Sequence, residues 1–395
     1  MKDLALILIG IAVAFVGYTY LGYPLLLKAL AWIRGTRPAR EPAPQTPRIT
    51  ITLAAYNEAA AIRGTLENLL ALDYPAERRQ VLVISDASTD NTDEIVAEFA
   101  DRGVQLLRLP QRSGKTAAEN AALEHVSGDI IVNTDASVRV ERNALRHLIA
   151  AFDDPSVGLA SGRDVSVANL EGETNLGESD YVGYEMWLRE QETRVWGIIG
   201  ASGCFYAIRA DLHRSEIPAG LSRDFAAALY TREQGFRSVS VNEARCFVPR
   251  AASLRTEYPR KVRTLARGLR TLFYKRALLN PFRYGLFAWM LISHKLCRWL
   301  VPWALALGLL GVVLLGALEP WGVWLLGAVA LGLGAAVVGW VWPGEGEIGR
   351  ILALPAYLAA GNLAALHAWI RVLRRRADAV WEPTRRGSRG AFDAS

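Results

Sequence analysis

Acidic and hydroxyl side chains follow an apolar run of the sequence at two places. The first run leads into Asp86-Ala-Ser-Thr-Asp-Asn-Thr92, and the second leads into Asp135-Ala-Ser137. Because short apolar runs predict buried strands, we expect both carboxylates at the carboxyl ends of strands in one sheet. Open α/β sheets bind nucleotides at that edge. The pattern therefore favours an enzyme that handles a nucleotide-linked sugar.

The residues at these turns have candidate roles and simpler alternatives. Asp86 is predicted to accept hydrogen bonds from a uracil ring or a ribose hydroxyl, or else to cap the helix that follows. Asn57 and Glu58 occupy the equivalent turn after the first strand and would approach the nucleotide from the other side. Asp135 is predicted to bind a divalent ion that bridges diphosphate oxygens, with Ser137 as a poorer ligand, or else is a turn residue.

Four basic or acidic positions further along have similar pairs of interpretations. Lys115 follows Arg112-Ser-Gly114 at a helix start, where anions collect, so it either contacts a substrate anion or is solvated. The segment lacks the first glycine and the spacing of a Walker A loop, which argues against an NTPase. Asp224 precedes an apolar helix and is either a general base for an acceptor hydroxyl or a helix cap. Arg260 and Arg263 share a helical face and would clamp phosphates or hold lipid headgroups.

Apolar segments lie on both sides of these motifs. Of the 395 residues 51% are hydrophobic, and residues 4–27 carry no charge, which is enough for one membrane crossing. Residues 299–318 and 321–342 are also long enough to span a bilayer. Residues 282–293 are predicted to form an interfacial helix, and residues 351–373 to lie in the interface or re-enter. We therefore predict three crossings.

Charge and cysteine content indicate the compartment and the partners. Basic residues after the first crossing mark the cytoplasmic side, so the following domain is predicted to be cytosolic. The three cysteines are widely separated, which gives no disulfide framework or metal motif and agrees with a reducing compartment. The net charge of +6 suits anionic membrane lipids and a pyrophosphate-bearing substrate, and no nucleic-acid motif is found.

Strands and helices alternate between the apolar segments. Repeated β-α-β units over residues 48–152 predict an α/β domain with a parallel sheet covered on both faces. The predicted domain ranges are a transmembrane anchor (1–40), a Pro-rich linker (41–47), an α/β catalytic domain (48–277), interfacial and transmembrane helices (278–373) and a basic cytosolic tail (374–395).

The order of the motifs resembles that of the membrane-anchored family 2 inverting glycosyltransferases, which include cellulose, hyaluronan and poly-N-acetylglucosamine synthases. The resemblance covers residues 48–270, with one further motif near the carboxyl terminus. Seven segments carry it, in this order: Ala55-Tyr-Asn-Glu58, Asp86-Ala-Ser-Thr-Asp-Asn-Thr92, Asp135-Ala-Ser137, Ser202-Gly-Cys204, Arg223-Asp224, Arg260-Lys-Val-Arg263 and Trp381-Glu-Pro-Thr-Arg385. The resemblance implies a GT-A fold, a Rossmann-like and mostly parallel sheet, in the cytosolic domain.

The resemblance also implies roles at the donor end. Asn57, Glu58 and Asp86 would hold the uridine of a UDP-sugar. Asp135 would serve a divalent cation, Mg²⁺ or Mn²⁺, and the diphosphate. In this sequence the second carboxylate of the D-x-D element is replaced by Ser137, so strict dependence on a metal is not implied.

At the acceptor end, the resemblance implies that Ser202-Gly203-Cys204 line the acceptor pocket and that Asp224 is the general base. Arg263, with Arg260 nearby, would steady the departing UDP. The acidic pair before the base position is here Arg223-Asp224, which leaves one carboxylate. The segment ends in Thr264, where processive members have the Trp that stacks on the acceptor sugar, so limited transfer is favoured over long-chain synthesis.

Taken together, these features predict a hexosyltransferase that moves a sugar from a UDP-sugar to a hydroxyl of a lipid-linked or membrane-presented saccharide. It would act in exopolysaccharide or cell-envelope glycan synthesis at a bacterial-type inner membrane, with polysaccharide-export proteins as candidate partners. One alternative is a polyprenyl-phosphate glycosyltransferase of the same fold. Another is a non-catalytic, nucleotide-binding membrane scaffold. A Rossmann dehydrogenase is disfavoured because no G-x-G-x-x-G follows the first strand.

Overall fold

The structure is a computed structural model that describes residues 1–35, 46–167, 176–213, 217–249, 254–341 and 350–374. Most of the predicted Pro-rich linker and nearly all of the predicted basic tail lie outside these residues. The chain divides into two compact units. The first comprises Met1–Ile33, Ala251–Leu269 and Arg276–Arg376, and the second comprises Arg34–Arg250, Arg270–Lys275 and Ala377–Ser395. The units differ from the predicted domain ranges, which stay predictions.

The second unit is built on one eight-stranded sheet. Its strands are β1 (Ile49–Ala55), β2 (Arg79–Ser85), β3 (Val104–Arg108), β4 (Ile130–Asp135), β5 (Arg139–Val140), β6 (Val157–Val167), β7 (Phe205–Arg209) and β8 (Arg237–Pro249). Their order across the sheet is β3-β2-β1-β4-β7-β6-β8-β5.

The first half of this sheet is parallel and the second half is mixed. Strand β1 pairs in parallel with β2 and β4, and β2 pairs in parallel with β3. Strand β7 is antiparallel to both β4 and β6, while β6 and β8 run parallel. Every residue of β1 is buried, as expected for a central strand with helices on both faces. The predicted α/β, Rossmann-like architecture is confirmed.

The helices are numbered along the whole chain. They are α1 (Lys2–Gly17), α2 (Tyr23–Arg34), α3 (Ala59–Leu70), α4 (Thr92–Ala97), α5 (Lys115–Ala121), α6 (Ala144–Ala150), α7 (Leu176–Val195), α8 (Ala210–His213), α9 (Arg223–Glu233), α10 (Leu254–Tyr274), α11 (Pro281–Tyr284), α12 (Leu286–Leu291), α13 (Cys297–Leu318), α14 (Gly322–Val341) and α15 (Arg350–Leu373). Short 3₁₀ turns cover Ala76–Arg78, Ala100–Arg102, Ala122–His125, Ala151–Asp153 and Arg276–Leu279, and π-helical turns cover Tyr18–Gly22 and Ile292–Leu296.

Hydrophobic side chains fill both faces of the parallel half of the sheet. On one face, Val83 and Val132 belong to the largest buried cluster, together with Leu66 of α3. On the other face, Leu82 packs in a smaller cluster with Ala118 of α5. Because alanine has a small side chain, α5 can approach the sheet closely, and this places its polar face beside the carboxyl ends of the strands.

The first unit contains the apolar helices. Three stretches of helix are long and apolar enough to cross a membrane: Lys2–Arg34, Leu286–Leu318 and Gly322–Val341. Among the described residues α15 does not meet this standard, in agreement with the predicted three crossings. The helix predicted over residues 282–293 is not a separate element, because from Leu286 onward the chain continues through α12 and a π-helical turn into α13. Its interfacial position stays a prediction.

Both long helices that contain a π-helical turn carry polar groups there. The hydroxyl of Tyr18 lies 2.7 Å from Ser293 Oγ, and Trp289 Nε1 donates to the same Tyr18 hydroxyl at 3.1 Å. Such contacts satisfy polar groups that would otherwise be costly in an apolar surrounding. The first apolar helix and α12–α13 are therefore joined within this unit by hydrogen bonds as well as by packing.

Candidate functional site

The turns after β1 and β2 are locked to each other. Asn57 and Ala87 both have positive φ angles, of 53° and 56°, and each lies two residues beyond its strand. The backbone N–H of Asn57 donates to Ser88 Oγ at 3.2 Å, and Asn57 Oδ1 accepts from the backbone N–H of Thr89 at 2.8 Å. Asn tolerates the left-handed conformation better than most residues. Asn57 thus fixes the rim of the predicted nucleotide site.

Asp90 is the residue that caps helices in this segment. Its carboxylate accepts from the backbone N–H of Ala59 at 3.1 Å and from that of Thr92 at 3.1 Å, which are the first residues of α3 and α4. The backbone N–H of Glu58 donates to Thr92 Oγ1 at 2.9 Å. The turn that carries Glu58 is therefore held by side chains from the turn after β2.

Asp86 is buried, with 1% of its surface exposed. Its two carboxylate oxygens accept from the backbone N–H groups of Ser113, at 2.7 Å, and Gly114, at 2.8 Å. Asp86 therefore does not cap the helix that follows it, as the alternative interpretation supposed, but binds the start of α5. The anion at this helix start is the Asp86 carboxylate itself, and charge-assisted hydrogen bonds of this kind hold the loop firmly.

Lys115 connects two of the predicted site segments. Its ammonium group donates to the carboxylate of Asp135 and, at 3.3 Å, to the backbone carbonyl of Gly203. Burial alone would lower the pKa of Lys115, but the nearby carboxylates of Asp135 and Glu119 outweigh this effect and raise it. Lys115 is therefore a charged group inside the site rather than a solvated one.

Asp224 lies in the first turn of α9, against the same Gly203. A methyl group added to Gly203 would lie 3.2 Å from Asp224 Oδ2. Ser222 Oγ donates to Asp224 Oδ1 at 2.6 Å and orients the carboxylate. The backbone at Gly203 thus lies between Asp224 on one side and Lys115 on the other.

A series of contacts joins Asp86, Asp135 and Gly203, and Asp224 lies beside Gly203 at the end of this series. Asp86 binds Gly114, whose neighbour Lys115 bonds to Asp135 and to the Gly203 carbonyl. The sheet register pairs Ala54 with Asp135 and Ala55 with Ser85, so these groups share the carboxyl edge of β2, β1 and β4. The structure therefore brings together Asp86, Lys115, Asp135, Gly203 and Asp224.

The segment around Ser202 is held by a residue that the sequence analysis missed. Ser202 Oγ donates to Asp164 Oδ1 at 2.6 Å and accepts from the backbone N–H of Cys204 at 3.1 Å. Cys246 Sγ lies 3.4 Å from the same carboxylate oxygen. Burial and the Asp164 charge raise the pKa of the Cys246 thiol, which therefore stays protonated. That this segment lines an acceptor pocket stays a prediction.

The predicted phosphate clamp lies on α10, where residues 254–269 belong to the first unit. Arg260 Nε donates to Glu257 Oε2 at 2.7 Å, one turn earlier on the same helix. The roles of Arg260 and Arg263 toward a leaving group stay predictions. The segment Trp381–Arg385 lies outside the described residues.

The donor atoms near Asp135 determine whether a divalent ion fits there. In the described ranges no three His, Cys, Asp or Glu side chains are grouped so that they could hold a metal ion. Asp135 provides one carboxylate and Ser137 one hydroxyl. Mg²⁺ is commonly held by one or two carboxylates with the remaining ligands from substrate phosphates and water. The donor set therefore fits an ion that takes most of its ligands from a bound diphosphate.

Sequence comparison assigns the domain to a family. Residues 50–215 match the family described as Glycosyl transferase family 2. A beta-monoglucosyldiacylglycerol synthase of Nostoc sp. is 33% identical over 156 residues, which are 38% of this chain and 33% of that protein. A poly-beta-1,6-N-acetyl-D-glucosamine synthase of Staphylococcus aureus is 34% identical over 116 residues, which are 29% of this chain and 28% of that protein. The match spans about a third of the length of these relatives.

Structural comparison supports the same fold. The mannosyltransferase PcManGT from Pyrobaculum calidifontis, solved in complex with GDP-Man and Mn²⁺, superposes with a TM-score of 0.70 at 24% identity. The superposition covers 93% of this chain and 99% of that one. Residues 50–215 therefore form a domain that matches the Glycosyl transferase family 2 model, and its fold is the GT-A fold.

Proposed function

We propose that this chain is an inverting glycosyltransferase that moves a sugar from a UDP-sugar to a hydroxyl of a lipid-linked or membrane-presented saccharide. The reaction would serve exopolysaccharide or cell-envelope glycan synthesis. The observation that carries the proposal is the series of contacts that joins Asp86, Asp135 and Asp224 through Lys115 and Gly203. A nucleotide-sugar transferase needs a donor-binding end and a base at one site, and these residues supply both.

In the proposed reaction the carboxylate of Asp224 accepts the proton of the acceptor hydroxyl. The acceptor oxygen then forms a bond to the anomeric carbon as the bond from that carbon to the diphosphate oxygen breaks, with inversion at the carbon. The electron pair of the broken bond leaves on the diphosphate of UDP. The ammonium of Lys115, together with Arg260 and Arg263, would stabilise that negative charge.

A divalent cation is part of the proposal. Asp135 would hold it and Ser137 would assist, and the bound ion would neutralise charge on the diphosphate. Support comes from the donor set at Asp135 and from PcManGT, whose structure contains Mn²⁺. Lys115 already brings one positive charge to Asp135, so we expect divalent ions to stimulate the reaction rather than to be its sole source of positive charge.

The test is donor hydrolysis by the purified protein in detergent, measured over a panel of UDP-sugars and with GDP-mannose as the comparison. GDP-mannose is included because PcManGT was solved with it. We expect release of UDP from one or a few UDP-sugars. Hydrolysis of GDP-mannose alone would contradict the proposed donor, and binding of UDP without turnover of any sugar would favour the scaffold alternative.

Replacement of the base separates binding from transfer. Asp224→Asn removes the proton acceptor but preserves the shape of the side chain, so UDP affinity should be nearly unchanged while transfer to a hydroxyl is abolished. Retained transfer to a saccharide hydroxyl would refute the role of Asp224. Retained transfer to a polyprenyl phosphate, which needs no deprotonation, would favour the polyprenyl-phosphate alternative.

A second acceptor is favoured by one observation, the similarity to beta-monoglucosyldiacylglycerol synthases. In that case the acceptor would be the free hydroxyl of a diacylglycerol in the membrane, and the same base would be required. Incubation with a radiolabelled donor, with diacylglycerol or a lipid-linked saccharide in mixed micelles, distinguishes the two acceptors by the mobility of the labelled product.

The membrane arrangement completes the proposal. Three apolar helices long enough to span a bilayer support an integral membrane protein. We propose that the family 2 domain faces the cytosol of a bacterial-type cell. Cysteine labelling with a membrane-impermeant maleimide, at a cysteine introduced in place of exposed Asp101, should occur in inverted vesicles and not in intact cells.

A further inference from the structure

A buried ion pair lies directly behind the proposed base. Arg223 and Asp224 are consecutive residues at the start of α9, but their side chains have different partners. Asp224 accepts a hydrogen bond from Ser222 and lies beside Gly203, on the side of the site. The guanidinium of Arg223 is only 3% exposed and lies against α5. A full positive charge is therefore buried next to the residue that must accept a proton.

The partners of Arg223 come from α5 and α8. Arg223 Nε lies 3.1 Å from Glu119 Oε2, in an ionic contact whose angle is not that of a hydrogen bond. Its terminal nitrogens contact Asn120 Oδ1, the Thr116 carbonyl at 3.4 Å and His213 Nε2 at 3.0 Å. Burial and the Arg223 charge lower the pKa of His213, so its ring is neutral and can accept from Arg223.

The same face of α5 also holds the segment that leads into α9. Asn120 Nδ2 donates to the backbone carbonyl of Ile217 at 2.7 Å. Thr116 Oγ1 donates to the backbone carbonyl of Leu221 at 3.3 Å. One short helix thus fixes both the backbone before Asp224 and the side chain of the residue beside it.

Glu119 is shared by two cations. Its side chain is 2% exposed, and its second oxygen lies 3.9 Å from Lys115 Nζ, which in turn bonds to Asp135. From Asp135 to Asp224 the side-chain charges therefore alternate through Lys115, Glu119 and Arg223. Burial raises the pKa of Glu119, while the two cations oppose that shift. Removing the Glu119 carboxylate would leave the buried Arg223 and the partly buried Lys115 without their shared anion.

We propose that Glu119 is a positioning residue for the transfer reaction. This inference rests on the proposed function. A single carboxylate on α5 keeps Lys115 at the donor carboxylate Asp135 and keeps Arg223 folded back behind Asp224. Without it, the Arg223 charge would be uncompensated beside the base, and the start of α9 would lose its ionic contact with α5. Glu119 would thus act on the chemical step through Lys115 and Arg223, without touching substrate.

The experiment compares wild type with Glu119→Gln, Arg223→Gln and the double variant, in the full-length protein in detergent. The kcat for donor turnover and the Kd for UDP are measured for each. Glu233→Gln is the matched control because it removes a carboxylate from the other end of α9, where Glu233 pairs with Lys275 at 2.5 Å. We expect the control to stay within twofold of wild type.

We expect Glu119→Gln and Arg223→Gln each to lower kcat at least tenfold with Kd for UDP within threefold of wild type. The kcat of the double variant should be no lower than that of either single variant, because two amides can bond to each other and no charge is left unbalanced.

The inference is overturned if Glu119→Gln keeps kcat within twofold of wild type, or if UDP affinity falls in parallel with kcat. It is also overturned if the fold-losses of kcat in the two single variants multiply in the double variant. A wild-type protein that turns over no donor would instead overturn the proposed function.

Discussion

The carboxylate of Asp224 lies so close to the backbone of Gly203 that a methyl group at residue 203 would be 3.2 Å from Asp224 Oδ2. That distance is shorter than an ordinary van der Waals contact, and the Ser222 hydroxyl holds the carboxylate in place from the other side. Glycine at this position therefore leaves room for the oriented carboxylate of the proposed base.

Gly203→Ala should lower turnover about tenfold to a hundredfold, because displacing a catalytic group by a fraction of an ångström disturbs its attack geometry. UDP affinity should change little, since the methyl group faces Asp224. The measurement is kcat for donor turnover together with Kd for UDP. Gly183→Ala on α7 is the control, because a methyl group there meets nothing within 4 Å. Equal effects of the two substitutions would contradict the assigned contact.

The strands of the site could be predicted from sequence, but the partners of its carboxylates could not. Apolar runs located β2 and β4 to within a residue or two, because buried parallel strands need continuous apolar residues. The groups that bind Asp86 are backbone N–H groups 27 and 28 residues away, which no side-chain pattern reveals. Only the approach of α5 to the sheet brings them together.

Glu119 was missed for a related physical reason. In sequence it is one charged residue in an otherwise ordinary helix, and such residues are usually solvated. Its one signal is the alanine-rich context of α5 and the 3₁₀ turn that follows it, in which Ala118 and Ala122 are fully buried. A helix that packs that closely against a sheet can bury its neighbouring positions as well. One of the two cations beside Glu119 is Arg223, more than a hundred residues later in the chain, so burial of this pair depends on the fold.

Asp86→Asn should weaken UDP binding and also destabilise the domain. The carboxylate accepts two backbone N–H bonds, whereas an amide has only one oxygen to offer and turns its NH₂ group toward a donor. Leaving one buried N–H without an acceptor costs about 1–3 kcal/mol. We expect a lower apparent melting temperature and a Kd for UDP raised at least tenfold.

The control for this substitution is Asp101→Asn, an exposed aspartate after α4. It should leave both measurements unchanged. If Asp86→Asn lowers the melting temperature while UDP binds as in wild type, Asp86 has a structural role only and the nucleotide is held elsewhere.

The buried His213 should make the domain sensitive to mild acid. Burial and Arg223 hold its pKa well below 6.5 in the folded protein. As the pH falls below 6.5, the unfolded chain binds a proton that the folded one excludes, so stability is lost. The loss approaches about 1.4 kcal/mol per pH unit until the folded pKa is reached.

His213→Gln removes the titrating group and leaves an amide oxygen for Arg223. Its apparent melting temperature should therefore fall less between pH 7 and pH 5 than that of wild type. The exposed His125, replaced in the same way, is the matched control. Parallel curves for wild type and His213→Gln would show that the folded and unfolded proteins bind this proton equally, which would contradict the lowered pKa of His213.

Addition of a second carboxylate should strengthen metal binding at the donor site. Ser137 stands where the resemblance implies an acidic residue, and Asp135 is the one carboxylate of the element. Because affinity for hard divalent cations rises with the number of charged oxygen ligands, Ser137→Asp should lower the Mg²⁺ concentration for half-maximal turnover about tenfold. Ser137→Ala, which removes the hydroxyl, should raise it modestly. Turnover is measured against Mg²⁺ after EDTA treatment. If the three proteins need the same Mg²⁺ concentration, residue 137 does not face the ion. If turnover persists in EDTA, Lys115 alone is a sufficient cation at Asp135.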